Sequence, residues 1–132
     1  LYEADVLIPN QSESTQLCSE AVTDMTTAKL VGASLVNRGV KKVVITLGRR
    51  GAVAITAEGT YECSPFNVKV VDTTGAGDAF CGAFAVHFAR TGDLGHALRY
   101  AAAAGALACT RFGAQPSMPH EEAILTLLHQ QA

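Results

Sequence analysis

A chain of 132 residues, 48% hydrophobic and 17% charged, has enough apolar material for one globular domain with a buried core, and residues 1–132 read as a single unit. A formal net charge of −2 and the lack of a long basic run argue against a nucleic-acid or anionic-membrane partner. The longest apolar run, Tyr100 to Cys109, is about half the roughly 20 residues a membrane-spanning helix needs. Cys18, Cys63, Cys81 and Cys109 show no C-x-x-C and no Cys/His metal spacing. Their apolar neighbours point to buried free thiols and a reducing, cytoplasmic setting. The chain opens on Leu1-Tyr2-Glu3 and runs at once into an apolar stretch, so it is expected to be the middle of a longer protein.

In chain order, Asp5-Val6-Leu7-Ile8-Pro9 is a short apolar run ended by proline and predicts a buried strand. Asn10 or Ser12 is placed to cap a helix reaching about Cys18. Thr23 to Asn37 has apolar residues at helical spacing and stops at Arg38-Gly39. The β-branched run Val43 to Leu47 predicts a strand of a buried parallel sheet. Gly48-Arg49-Arg50-Gly51 turns the chain into Ala52 to Thr56, and Glu58-Gly59 returns it as an antiparallel strand over Thr60 to Cys63. Val68 to Val71 is expected to be one more short strand. Helical patterns fill Ala79 to Arg90, Leu94 to about Arg111, and His120 to His129. This order predicts an α/β domain with helices packed on a mostly parallel sheet.

The chemistry concentrates in Asp72-Thr73-Thr74-Gly75-Ala76-Gly77-Asp78, between a strand pattern and a helix pattern. Small residues there let backbone N–H groups approach an anion, and the positive end of the helix macrodipole lies at the same place. The spacing is neither that of a P-loop nor that of the dinucleotide fingerprint. An acid inside an anion hole would repel a merely bound phosphate, but a catalytic base that meets an incoming hydroxyl belongs there. The dipole should keep Asp78 ionised and weakly basic, which suffices for a loose phosphoryl-transfer transition state. The plain alternative is that Asp78 caps the helix and the glycines form a tight turn. His87, His96, His120 and His129 show no metal spacing and no catalytic pattern.

Asp72-Thr73-Thr74-Gly75-Ala76-Gly77-Asp78-Ala79-Phe80 resembles the C-terminal signature of the ribokinase-like carbohydrate kinases, the phosphofructokinase-B superfamily. Three further stretches match in the family's order. Asn10-Gln11-Ser12-Glu13 resembles its N-x-x-E motif, and Thr46-Leu47-Gly48-Arg49-Arg50-Gly51 its T-L-G-x-x-G nucleotide loop. Thr110-Arg111-Phe112-Gly113-Ala114-Gln115-Pro116-Ser117 resembles a segment typical of ribokinases proper. The resemblance spans essentially the whole chain and implies the C-terminal part of a ribokinase-like three-layer sandwich.

It also implies roles. Asp78 would be the general base, and Gly75, Ala76 and Gly77 the backbone anion hole. Asn10 and Glu13 would organise Mg²⁺ and its waters beside ATP. Thr46, Gly48 and Gly51 would line the nucleotide. Asp72, Ser117 and the carbonyls of Thr74, Ala108, Arg111 and Gly113 would hold a monovalent cation, K⁺. Each motif also has a plain local reading: Asn10 and Glu13 as a helix cap and first-turn acid, Thr46-Leu47-Gly48 as a strand end, Ser117 as a turn before a helix. The chain departs from the family at Ala102, where a hydrogen-bonding residue often meets the nucleotide, so nucleotide preference is open there. A sugar-recognition segment and lid strands are absent before Asp5. The reaction the resemblance implies is ATP-dependent phosphorylation of a sugar hydroxyl, D-ribose to ribose 5-phosphate first. Another small alcohol (fructose, a nucleoside or a sugar phosphate) as acceptor and a non-catalytic nucleotide-binding fragment are the alternatives. The reaction is expected to need a missing N-terminal half or a partner copy.

Overall fold

A computed structural model describes residues 5–110 and 121–131. The chain divides into two compact units, Leu1–Ser64 and Pro65–Ala132. Each is described by itself.

In the first unit, strand β1 (Val6–Leu7) leads to helix α1 (Gln11–Cys18) and helix α2 (Met25–Asn37). Strands β2 (Lys42–Thr46), β3 (Ala52–Thr56) and β4 (Gly59–Cys63) follow, with a 3₁₀ turn at Gly48–Arg50. The sheet order is β1-β2-β3-β4. β1 runs parallel to β2, with Val6 opposite Lys42, while β2–β3 and β3–β4 are antiparallel. The α/β class expected from the sequence is present, but among the described strands the sheet is mixed rather than mostly parallel. The reason is the connections: turns of a few residues reverse the chain twice after β2, and a parallel neighbour needs a much longer crossover.

Both helices are capped by local side chains. Asn10 closes a capping box with Glu13, and Asp24 closes one with Thr27. Backbone hydrogen bonding of its carboxylate by Thr27 holds the Asp24 carboxyl below its ordinary value. Val31 and Leu35 of α2 bury against Val43, Ile45, Val53 and Ile55 of the sheet. Gly32 sits directly over Ile55, and a Cβ there would overlap the Ile55 side chain. The helix therefore approaches the sheet as closely as it does because position 32 has no side chain.

The second unit is helical: α3 (Ala76–Thr91), α4 (Leu94–Ala108) and α5 (Glu121–Gln130). Gly92, in the left-handed region at φ 66°, ends α3, and Asp93 caps α4 by accepting the His96 N–H at 3.0 Å. Phe80 and Phe84 of α3 and Leu98, Ala101 and Ala104 of α4 are buried. Ile124 and Leu127 supply the buried positions of α5.

The strand expected over Val68 to Val71 does not form. Residues 64–70 carry no regular structure, and Val70 and Val71 are about half exposed (46% and 50%). Their backbone is held by other means. The side-chain amide of Gln131 takes both backbone groups of Asn67, accepting its N–H at 2.6 Å and donating to its carbonyl at 2.8 Å. The N–H groups of Val71 and Asp72 both donate to the carbonyl of Cys109, at 2.7 and 3.1 Å. A β-branched run becomes a strand only beside a partner strand, and none of the described strands pairs with it.

Candidate active site

The loop entering α3 is built from two turns. Asp72 Oδ1 accepts the backbone N–H of Thr74 at 2.9 Å and its hydroxyl at 2.8 Å, an Asx turn that fixes the loop's first half. Ala76 N–H then donates to Thr73 O at 3.1 Å, and Gly75 turns through φ 83° to become the helix N-cap. An L-residue pays a steric penalty at that φ, so glycine at 75 answers a demand of the turn itself. The helix starts at Ala76, three residues earlier than its apolar pattern suggested. Asp78 consequently lies inside the first turn and is exposed.

Gly77 differs from Gly75. It has a helical backbone, and a Cβ there would meet no atom within 4 Å. Nothing among the described residues asks for glycine at 77. Of the three expected anion-hole amides, that of Ala76 is committed to the turn.

One residue that the sequence reading passed over shapes this loop. Gly105 of α4 lies against it, where a Cβ would stand 3.3 Å from the Ala76 carbonyl oxygen and 3.6 Å from Phe80 Cβ. The signal was present, a single glycine in the run Ala101-Ala102-Ala103-Ala104-Gly105-Ala106, but an alanine-rich helix hides it among other small residues. Cys109, the residue just past α4, was expected only as a buried free thiol and is half-buried. Its carbonyl anchors Val71 and Asp72. Burial, with the nearby Asp72 carboxylate, pushes the Cys109 thiol above its ordinary value.

Thus Asp72, Thr74 and Ala108, three of the expected cation ligands, belong to one neighbourhood: the loop docks on the C-terminal end of α4, and Ala108 is that helix's last residue. The negative end of a helix dipole favours a cation there. Arg111, Gly113 and Ser117 lie outside the described residues. Ala102 is half-buried on α4.

In the first unit, Asn10 and Thr46 form a parallel bridge just beyond β1 and β2, supported by Thr46 N–H donating to Pro9 O at 3.3 Å. The motif residues Asn10 and Thr46 therefore meet at the carboxyl ends of two parallel strands, the position where open α/β sheets bind ligands. Glu13 is exposed, and its Oε1 accepts the Asn10 N–H at 2.9 Å. The local reading of this pair as a helix cap is thus realised, and it also fixes where the carboxylate stands. The loop from Leu47 to Gly51 closes on itself, with Leu47 N–H donating to Gly51 O at 2.8 Å and Gly51 N–H to Gly48 O at 3.2 Å. Gly48 and Gly51 both have positive φ, 57° and 96°.

Comparison with known proteins shows the family and the fold. The model of the pfkB family carbohydrate kinases matches residues 1–121. The chain is 38% identical over 127 residues to the bifunctional ribokinase/ribose-5-phosphate isomerase A of Fructilactobacillus sanfranciscensis, covering 96% of this chain and 24% of that protein. It is similar to the structure of Arabidopsis thaliana ribokinase complexed with ribose and ATP, at 36% identity and a TM-score of 0.86, covering 94% of this chain and 40% of that one. It is also similar to Escherichia coli phosphofructokinase-2 in complex with potassium, at 28% identity and a TM-score of 0.86, covering 96% of this chain and 40% of that one. The chain thus spans between a quarter and two fifths of the length of these proteins, and by the match over residues 1–121 it belongs to the pfkB family of carbohydrate kinases.

Proposed function

We propose that the full-length protein carrying this chain transfers the γ-phosphate of ATP to a hydroxyl of a small sugar, D-ribose giving ribose 5-phosphate. Gly77 is the observation that carries this reading. Among the described residues nothing makes use of glycine there, whereas a phosphate drawn up to the backbone at a helix N-terminus does. Asp78, the next residue, is exposed in the same first turn and is the base that accepts the hydroxyl proton as the new P–O bond forms. The N–H groups at the start of α3 stabilise charge on the transferring phosphoryl group. Thr46, Gly48 and Gly51 take the nucleotide.

The donor sets fit the two expected cations. Glu13 offers carboxylate oxygen, which suits Mg²⁺ held through water, and Mg²⁺ supplies charge neutralisation on the phosphates. Asp72 and the carbonyls of Thr74 and Ala108 offer oxygen to K⁺, and the likeness to a phosphofructokinase-2 with potassium supports that assignment. Sugar selection falls to residues outside this chain, in an N-terminal half or a partner copy, in a cytoplasmic setting.

The test is a coupled ADP-release assay on the full-length protein with a panel of sugars. Ribose should be the preferred acceptor, and Asp78→Asn should lower turnover by about 10²- to 10⁴-fold while ATP still binds. Near-normal turnover in that variant would remove Asp78 as the base. A phosphorylated sugar is the second reading, favoured by the likeness to phosphofructokinase-2; preference for fructose 6-phosphate in the panel would select it. Exchange of K⁺ for Na⁺ should lower the rate, and indifference would remove the cation assignments. No turnover with any acceptor would leave a non-catalytic nucleotide-binding module.

A further inference from the structure

The far end of α3 carries a second cluster of chemistry that phosphoryl transfer does not use. His87 Nε2 of α3 lies 3.0 Å from His96 Nδ1 of α4, and the rings are tilted by 38° with centroids 4.7 Å apart. Two rings sharing a straight N–H···N bond stand further apart, because each nitrogen lies a ring radius out from its centroid. The two nitrogens are therefore canted rather than aimed straight at each other. The other faces of the pair are fixed. Tyr100 packs on His87 at 4.5 Å between centroids. Thr91 Oγ1 gives its own proton to the His87 carbonyl at 3.0 Å, so at 3.5 Å from His87 Nδ1 it can only accept. That arrangement favours the tautomer with the His87 proton on Nδ1, in which Nε2 is bare.

We propose that His87 and His96 form a two-imidazole site for a late first-row divalent metal ion, with Cu²⁺ or Ni²⁺ the best fit. Bonds of about 2.0 Å to two nitrogens 3.0 Å apart subtend about 95° at the metal, near the right angle of tetragonal Cu²⁺ and Ni²⁺ and well below the tetrahedral angle of Zn²⁺. Among the described residues no group of three or more His, Cys, Asp or Glu forms a metal cage, so water fills the remaining positions.

The surrounding charges are compatible. The C-terminal end of α3 favours a cation, the N-terminal end of α4 opposes one, and the Asp93 carboxylate capping α4 offsets that opposition. Arg90 of α3 is paired with Glu121 of α5 at 3.4 Å, which blunts its repulsion. Burial, then the charges of His96 and Arg90, hold the His87 imidazole below its ordinary value. Binding forms two N–metal bonds, and the proton between the two nitrogens moves through solvent to the other nitrogen of its own ring.

The experiment is a Cu²⁺ titration of tag-free, chelator-treated full-length protein, followed by calorimetry and electron paramagnetic resonance. One equivalent should bind with hyperfine structure from two imidazole nitrogens. His87→Gln and His96→Gln should each weaken it at least about tenfold, and His129→Gln should leave it unchanged. Circular dichroism of each variant shows that the helices persist, and His96, which is exposed, is the substitution least able to disturb them. Wild-type affinity in both variants, or a one-nitrogen spectrum in the wild type, would overturn the site and leave only a shared hydrogen bond.

Discussion

The two motif-bearing loops of this chain are held in opposite ways. The loop from Leu47 to Gly51 and the Asn10–Glu13 cap are closed by partners no more than four residues away in sequence. The loop from Asp72 to Asp78 has two local turns of this kind, but its position depends on distant residues: the carbonyl of Cys109, the bare backbone of Gly105, and the clamp of Gln131 on Asn67. A local loop keeps its shape whenever its own residues are present. A loop held from afar keeps its shape only while another element stays in place, and it can be disturbed by changes that touch none of its residues.

The contrast can be broken most strongly at Gly105. Gly105→Leu forces a side chain against the Ala76 carbonyl and Phe80 and should destabilise the second unit by about 1–3 kcal/mol through overpacking, read by urea denaturation. Gly77→Ala, in open space, should leave stability unchanged or slightly raised, although it lies in the motif itself. Equal costs at 105 and 77 would show that the loop does not lean on α4. Asn10→Ala tests the local side of the comparison. It removes the cap of α1 and should cost about 1 kcal/mol in the same measurement, with the strands unchanged by hydrogen exchange.

The smallest effect should come at Asp72→Asn. The amide keeps the Oδ1 acceptor for Thr74 but removes the charge that helps hold the Cys109 thiol up. Alkylation of Cys109 at pH 8, followed by mass spectrometry, should become modestly faster, because a lower thiol value leaves more thiolate at that pH. An unchanged rate would mean that burial alone controls the thiol.

What could be read from the sequence follows the same division. Helices α1 to α4, the hairpin from β2 to β4 and the first-unit core rest on spacing, caps and turns, all of which are written locally. Asn10 as a cap, Gly48 and Gly51 as turn formers and Asp78 at a helix start were legible for that reason. The start of α3 was placed late because Ala76 and Gly77 carry no apolar pattern, and the helix is begun there by the Gly75 turn. Val68 to Val71 was misassigned because strand formation depends on a neighbour and a β-branched run is silent about whether one is present. The roles of Gly105, Gln131 and the Cys109 carbonyl were not legible because they exist only once α4 and α5 are folded.

The Gln131 clamp has a consequence for the order of assembly. It joins positions 64 residues apart, and Gln131 is itself held by Arg99, which donates to its carbonyl at 2.8 Å. Closing so long a separation early would cost chain entropy with no contact yet made to offset it. The α3–α4 hairpin, whose contacts are near in sequence, therefore forms first, and the segment ahead of Asp72 docks last. The residues that lead into the phosphate loop are thus the latest to be fixed and the first to open, and pulse-labelled hydrogen exchange should show Val71 and Asp72 gaining protection after the helices.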